Sequence, residues 1–212
     1  MATSETSDTE LMALVRVIAA GNSALALQVL QAKPELARAR LLRTGATRQT
    51  ATQFFLDEIG HYVCEGDTAL HVAAAAYQEE TVRELIARGA DLRARNRLGT
   101  EPVHLAAVGQ PGSCRWNPPA QAATITLLIK AGADPNAINK NGTAPLDRAV
   151  RTRSAAAVEA LLAGGADPRL KTRNGSTPMT LAEQTTGRGG SSSPAAKAQQ
   201  KEIVRLLRPY AA

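Results

Sequence analysis

Apolar positions in this chain recur in blocks, and the blocks keep time. GDTALHVAAAAYQEETVRELIARGAD, from Gly66, and GTAPLDRAVRTRSAAAVEALLAGGAD, from Gly142, share one plan. Each opens on glycine, runs through a short Ala-rich amphipathic stretch, turns, and enters a second stretch. That second stretch closes on an apolar pair followed by Gly-Ala-Asp. Helical spacing of the apolar residues predicts two short helices per block, each with one face to bury. One helix pair cannot bury its own face, so the pattern predicts an array in which each pair covers the next.

The opening glycine recurs at 66, 99, 142 and 175, and the apolar pair recurs as Leu85-Ile86, Leu128-Ile129, Leu161-Leu162 and Leu206-Leu207. From the second apolar residue to the next glycine the distance is 13 residues each time: Ile86 to Gly99, Ile129 to Gly142, Leu162 to Gly175. Gly66 to Gly99 and Gly142 to Gly175 both give a unit of 33 residues. The second unit carries 10 extra residues and the fourth carries 12, counted from glycine to apolar pair. Both sets fall between the two helices of their unit, in Val108–Asn117 and in QTTGRGGSSSP. Asn117-Pro118 and Ser193-Pro194 close them, each with a capping side chain before proline, which is a helix-start signal.

With this period, Thr68-Ala69-Leu70-His71, Thr177-Pro178-Met179-Thr180 and the Gly-Ala-Asp endings at Gly89, Gly132 and Gly165 resemble the ankyrin-repeat family. The resemblance covers roughly residues 66–212. It implies stacked helix–turn–helix pairs joined by hairpin fingers into an L-shaped solenoid. It also implies a non-enzymatic module that binds a protein partner through its concave surface and fingers. His71 and His104 stand where the family has a structural histidine linking a helix start to neighbouring backbone. The chain departs from the pattern at Glu101 and Ala144, in place of threonine, and at Asp147 and Thr180, in place of histidine. Those units are expected to be capped less well.

The expected fold is therefore all-α, a solenoid of about five helix pairs with hairpin fingers and three inserted loops. Residues 1–8 are expected to form a flexible tail, and 9–212 a single domain. Within it, 9–34 read as a divergent capping repeat with helices over Thr9–Ala19 and Ser23–Gln31, turning at Gly21-Asn22. Residues 35–65 read as an insert in which Thr52–Ile59 has roughly helical spacing. Repeats follow at 66–98, 99–141 (with an insert) and 142–174, and 175–212 form a C-terminal capping repeat with an insert.

Composition sharpens this picture in two places. Aromatics make up only 3% of the chain, so Ala, Leu, Val and Ile must build the core. Phe54, Phe55, Tyr62 and Trp116 nonetheless fall in irregular segments, either as pins for the inserts or, for Trp116, as a binding residue. The net charge of +6 favours acidic partners, but no long basic block concentrates it. No nucleic-acid reader motif is recognised. Cys64 and Cys114 read as free thiols of a reducing compartment. The polar, acidic start and the absence of any long apolar run argue against a signal peptide or a membrane span, and a monomeric cytoplasmic protein is expected.

No residue set announces catalysis, and no cofactor or metal is expected. His61-x-x-Cys64 is half a zinc site with no second pair, and TGRGGSSS lacks the Gly-Lys-Ser/Thr of a phosphate loop. Two constellations remain. Arg97, Lys140 and Arg173 stand two residues before successive repeat glycines, as a row of basic finger tips, and with Trp116 they are the candidate partner contacts. The alternative is a small anionic-ligand site, or a catalytic one, between the inserts of the second and fourth units, built from Arg115, Trp116, Arg151, Arg153 and Arg188 with the glycines at 187, 189 and 190.

Overall fold

A computed structural model describes residues 2–47, 50–184 and 193–211. Among these residues ten helices make five antiparallel pairs: α1 (Ala2–Ala19) with α2 (Ser23–Ala32), α3 (Ala69–Ala75) with α4 (Glu79–Ala87), α5 (Pro102–Ala106) with α6 (Pro118–Lys130), α7 (Pro145–Arg151) with α8 (Ala155–Ala163), and α9 (Pro178–Glu183) with α10 (Pro194–Leu207). The first helices pack in one row, α1 on α3, α3 on α5, α5 on α7 and α7 on α9. The second helices form the other row, α2 on α4 through to α8 on α10. The expected all-α solenoid is the observed architecture.

The two rows divide the core by side-chain size. Ala69, Ala73, Ala74, Ala106, Ala107 and Ala149 are buried in the inner row, where small residues let short helices approach closely. Leu85, Ile125, Leu128, Leu161 and Ile203 are fully buried in the outer row and supply the bulk. Three of the outer helices end alike, with Ala90, Ala133 and Ala166 N–H groups reaching back to Leu85, Leu128 and Leu161 carbonyls at 2.9, 3.0 and 2.9 Å. This is the closing bond of a Schellman turn, and it explains the fixed spacing of apolar pair and Gly-Ala-Asp.

The fingers have their own lock. Asn96 Oδ1 accepts the N–H groups of Leu98 and Thr100, and Asn139 Oδ1 accepts those of Asn141 and Thr143. Each finger then lies against the one before it, with Arg97 N–H on Glu65 O and Lys140 N–H on Leu98 O at 2.7 and 3.1 Å. Gly99 and Gly142 sit at this contact with φ of +68° and +69°. A Cβ there would lie 2.9 Å from Lys140 N and 3.0 Å from Arg173 N. Both the backbone angle and the neighbour therefore demand glycine.

Two expectations near the N-terminus are corrected. Residues 2–8 are not a flexible tail but the start of α1. The buried Asp8 carboxylate takes the N–H groups of Leu42, Arg43 and Thr44, which ties this segment to the first insert. Burial alone would raise the Asp8 carboxyl, but these N–H bonds and the Thr44 hydroxyl hold it below the ordinary value. Thr52–Ile59 is not a helix. A 3-10 turn at Ala51–Phe54 leads into a two-residue hairpin, β1 (Phe55–Leu56) and β2 (His61–Tyr62), with Phe55 opposite Tyr62. Their rings are 4.5 Å apart between centroids, and the cross-strand aromatic pair outweighs the helical spacing. Phe54 packs on the core, so the first insert is pinned to the body by its aromatics.

A basic hollow between the fingers and the fourth inner helix as candidate functional site

Helix starts decide which side chains of the inner row are free. In the first full repeat Thr68 and His71 form a reciprocal pair: His71 N–H reaches Thr68 Oγ1, and Thr68 N–H reaches His71 Nδ1 at 3.2 Å. His71 Nε2 spans to Thr100 O of the next repeat at 2.9 Å, and His104 Nε2 spans likewise to Thr143 O at 3.2 Å. The structural role implied for both histidines is what the structure shows. Burial pushes both imidazoles below their usual range, His104 to about 4, so both stand neutral at pH 7.

The departures weaken this scheme stepwise. At Glu101 only the reverse bond is made, from its N–H to His104 Nδ1, while its carboxylate pairs with Arg95 at 2.9 Å. At Ala144 there is no capping oxygen at all; Asp147 Oδ2 accepts the Ala144 N–H at 2.9 Å, and Asp147 Oδ1 is buried with no hydrogen-bond partner. Burial pushes the Asp147 carboxyl up to about 6, against the opposing pull of the Ala144 N–H and the Arg151 charge. Asp147 does not span to the next repeat as the histidines do.

Beside this weakened start, α7 turns Arg148 and Arg151 toward the fingers. With Arg173 they line a hollow of about 490 Å³, floored by Asn139, Thr143 and Thr172 and reached by Val108 at the mouth of the second insert. Among the described residues no acidic side chain lines it. Arg148 is partly buried, and burial draws its guanidinium below the usual value. No hydrogen bond or ion pair to it is found among the described residues. Burial pushes the nearby Cys64 thiol up, and the Arg148 charge acts against that rise. Cys64 is buried, which makes it a packing residue and not a reactive one.

The finger-tip cations are exposed, and each is anchored to the preceding segment. Arg97 Nη2 donates to Ala46 O at 2.7 Å, Lys140 Nζ to Arg97 O at 2.9 Å, and Arg173 Nη2 to Lys140 O at 2.9 Å. The row reads as a chain of cross-finger bonds whose positive charges still face solvent. Sequence spacing located the row but not its bonds.

The residues grouped as an inter-insert ligand site are separated. Arg115 donates to Asp57 O, and with Trp116 it lines a different hollow of about 290 Å³ together with Glu58, Ile59, Tyr77 and Gln110. The second insert thus closes against the first insert through Arg115 and Gln110. Trp116 Nε1 donates to Gln121 Oε1 at 2.9 Å, and Gln121 in turn holds Ala106 O and Ser154 Oγ. Arg153 is buried in a left-handed turn, φ +58°, and donates to Gln200 Oε1 of α10. Of the described members of the set, only Arg151 lines the basic hollow. Arg188 and the glycines at 187, 189 and 190 lie outside the described residues.

Arg148 was missed by sequence reasoning. Its signal was available: Arg148 and Arg151 are three apart on one short inner helix, PLDRAVR, so they share a face. Asn139 was missed as well, although Asn96 and Asn139 both stand three residues before a repeat glycine. Among the described residues no group of three or more His, Cys, Asp or Glu side chains is placed to hold a metal ion, and no helix is long and apolar enough to cross a membrane.

Paired helices stacked in two rows, with fingers projecting from one side, define a repeat solenoid of the helix–turn–helix class. The comparisons agree: residues 14–116 match a family model described as ankyrin repeats (3 copies), and residues 128–182 match one described as ankyrin repeats (many copies). The two stretches do not overlap and take in most of the chain, which belongs to the ankyrin-repeat family. The match from residue 14 carries the family upstream of Gly66, from the last turns of α1 through α2. No curated protein matches the chain.

Proposed function

We propose that this chain is a non-enzymatic interaction module that holds an acidic protein partner against its fingers and inner helices. Ankyrin repeats generally serve as protein-interaction modules. The observation that carries the reading here is the hollow between the third and fourth fingers and α7, lined by Arg148, Arg151 and Arg173 with no acidic side chain. The other unusual ionisable groups serve the fold: His71, His104, Asp67 and Asp8 all hold backbone or neighbouring side chains. Arg97, Lys140 and Arg173 extend the positive surface along the finger edge, where they would steer an acidic partner. Trp116, half-buried at the second insert, would supply an additional apolar contact. The proposed compartment is the cytoplasm and the proposed state a monomer.

Photo-crosslinking in the native host tests this. A benzoylphenylalanine at Asn141 or Asn174, on the rim of the hollow, should capture a discrete protein, and the same probe at Glu159 on the outer row should not. Capture from Glu159 alone would overturn the reading.

A further inference from the structure

We infer that the hollow at Arg148, Arg151 and Arg173 is a built oxyanion site that takes a carboxylate or phosphate group of the partner. The inference rests on the interaction-module reading and adds the chemistry of the contact. Three features of the hollow support it independently of the fold.

The first is charge without a counter-charge. Three arginines line one hollow, and among the described residues its lining contains no carboxylate. Asp147 is the acidic group whose charge reaches Arg151, yet it faces the Ala144 N–H and makes no ion pair. The pairs elsewhere show the ordinary alternative: Arg83 with Glu79, Arg88 with Glu84 and Arg205 with Glu202, each three or four residues apart.

The second is the state of Arg148. A partly buried guanidinium has given up water, and among the described residues nothing replaces that water. Its planar fork matches two oxygens of a carboxylate or phosphate. Arg151, one turn further along α7, lies on the same face.

The third is Asn139. Its counterpart in the previous finger, Asn96, spends its amide Nδ2 on Asp67 Oδ1 at 2.8 Å. Asn139 holds its finger in the same way through Oδ1, but its Nδ2 makes no hydrogen bond among the described residues. Asn139 as a residue is 6% exposed, and it lines the hollow. Nδ2 is not among the buried atoms left without a partner, so it stays open to solvent as a donor that a bound oxyanion beside the three arginines would engage.

Isothermal titration of the full chain in phosphate-free, low-salt buffer tests the site with three probes: acetyl-hexaglutamate amide, inorganic phosphate, and acetyl-hexaglutamine amide as neutral control. Hexaglutamate should bind, hexaglutamine should not, and Arg148→Gln or Arg151→Gln should each weaken hexaglutamate at least tenfold. Arg83→Gln, which removes a cation of the outer row, should change it less than twofold. Displacement of hexaglutamate by millimolar phosphate, but not by equal chloride, would assign the site to oxyanions of either source. Failure of phosphate to displace it would narrow the site to carboxylates. Equal weakening by Arg83→Gln, or no weakening by either hollow variant with the circular-dichroism spectrum unchanged, overturns the inference. If Arg148→Gln loses probe binding yet still crosslinks its partner from Asn141, the oxyanion site fails as the docking contact while the module reading stands.

Discussion

The repeat from Gly66 and the repeat from Gly142 share a backbone and differ in what their inner helices do with polar groups. In the first, Thr68 and His71 satisfy each other and His71 crosses to Thr100. Every polar group at that helix start is used within the protein. In the second, Ala144 offers no cap, Asp147 keeps one oxygen unpaired, and Arg148 and Arg151 point at a hollow with nothing acidic in its lining. The same scaffold thus places stabilising bonds in one repeat and unspent donors in another. In a repeat array each unit leans only on its neighbours, so a weak unit is tolerated between strong ones.

The largest effects that would break this comparison are in the outer row. Leu85→Ala and Leu161→Ala each empty a fully buried site and should cost about 2–5 kcal/mol. Denaturant unfolding should show the Leu161 variant losing cooperativity around the weaker repeat first, with Leu85→Ala lowering the whole curve. Identical unfolding profiles would remove the distinction between the repeats.

The next effect separates by pH. The unfolded chain takes a proton on His104 near 6.5, but the folded chain does so only near 4. The stability this contributes is present above pH 6.5 and lost as pH falls toward 4, about 3 kcal/mol at most. Asp147 runs the other way: its folded value near 6 exceeds the unfolded 3.8. Its contribution is full below pH 3.8 and lost as pH rises through 6. Asp147→Asn should therefore stabilise the protein at pH 7, by up to about 3 kcal/mol, and lose that gain by pH 4. Urea midpoints at the two pH values check it, and a destabilised variant at pH 7 would mean the carboxylate is better served than its unpaired oxygen indicates.

Smaller still are the helix starts. Thr68→Ala should cost about 1–2 kcal/mol. Asp147→His should recover about 1 kcal/mol, because the repeat register places Ser176 O where Thr100 O and Thr143 O receive His71 and His104. Smallest is the finger row. Lys140→Ala should cost under about 1 kcal/mol, since its bond to Arg97 O is exposed. Thermal melts order all three.

Much of the fold was legible because a repeat states its rules several times. The glycine, the apolar pair and the Gly-Ala-Asp ending each map to one bond or one backbone angle, as at Gly142 and at Ala166 N–H on Leu161 O. The first insert occurs once and has no such redundancy. Its hairpin depends on Phe55 meeting Tyr62 and on Asp8 capturing Leu42–Thr44, contacts between residues far apart in sequence. The site was legible in part for the same reason. Arg173 and Arg151 were found from register and turn position, but Arg148 and Asn139 gain meaning only when α7 and the third finger lie side by side. Placing Arg115 and Trp116 with them failed because the direction of an insert is set by what it packs on, here Asp57 to Ile59.

Among the inner-helix starts, the stabilising polar bonds lie at Thr68–His71 and the proposed binding lies at Arg148–Arg151. Thermal melting with and without saturating acetyl-hexaglutamate amide tests it in one series. Thr68→Ala should lower the melting temperature and keep the ligand-induced rise. The double variant Arg148→Gln, Arg151→Gln should keep the wild-type melting temperature and lose the rise. A rise that survives in the double variant, or disappears in Thr68→Ala, would contradict the claim.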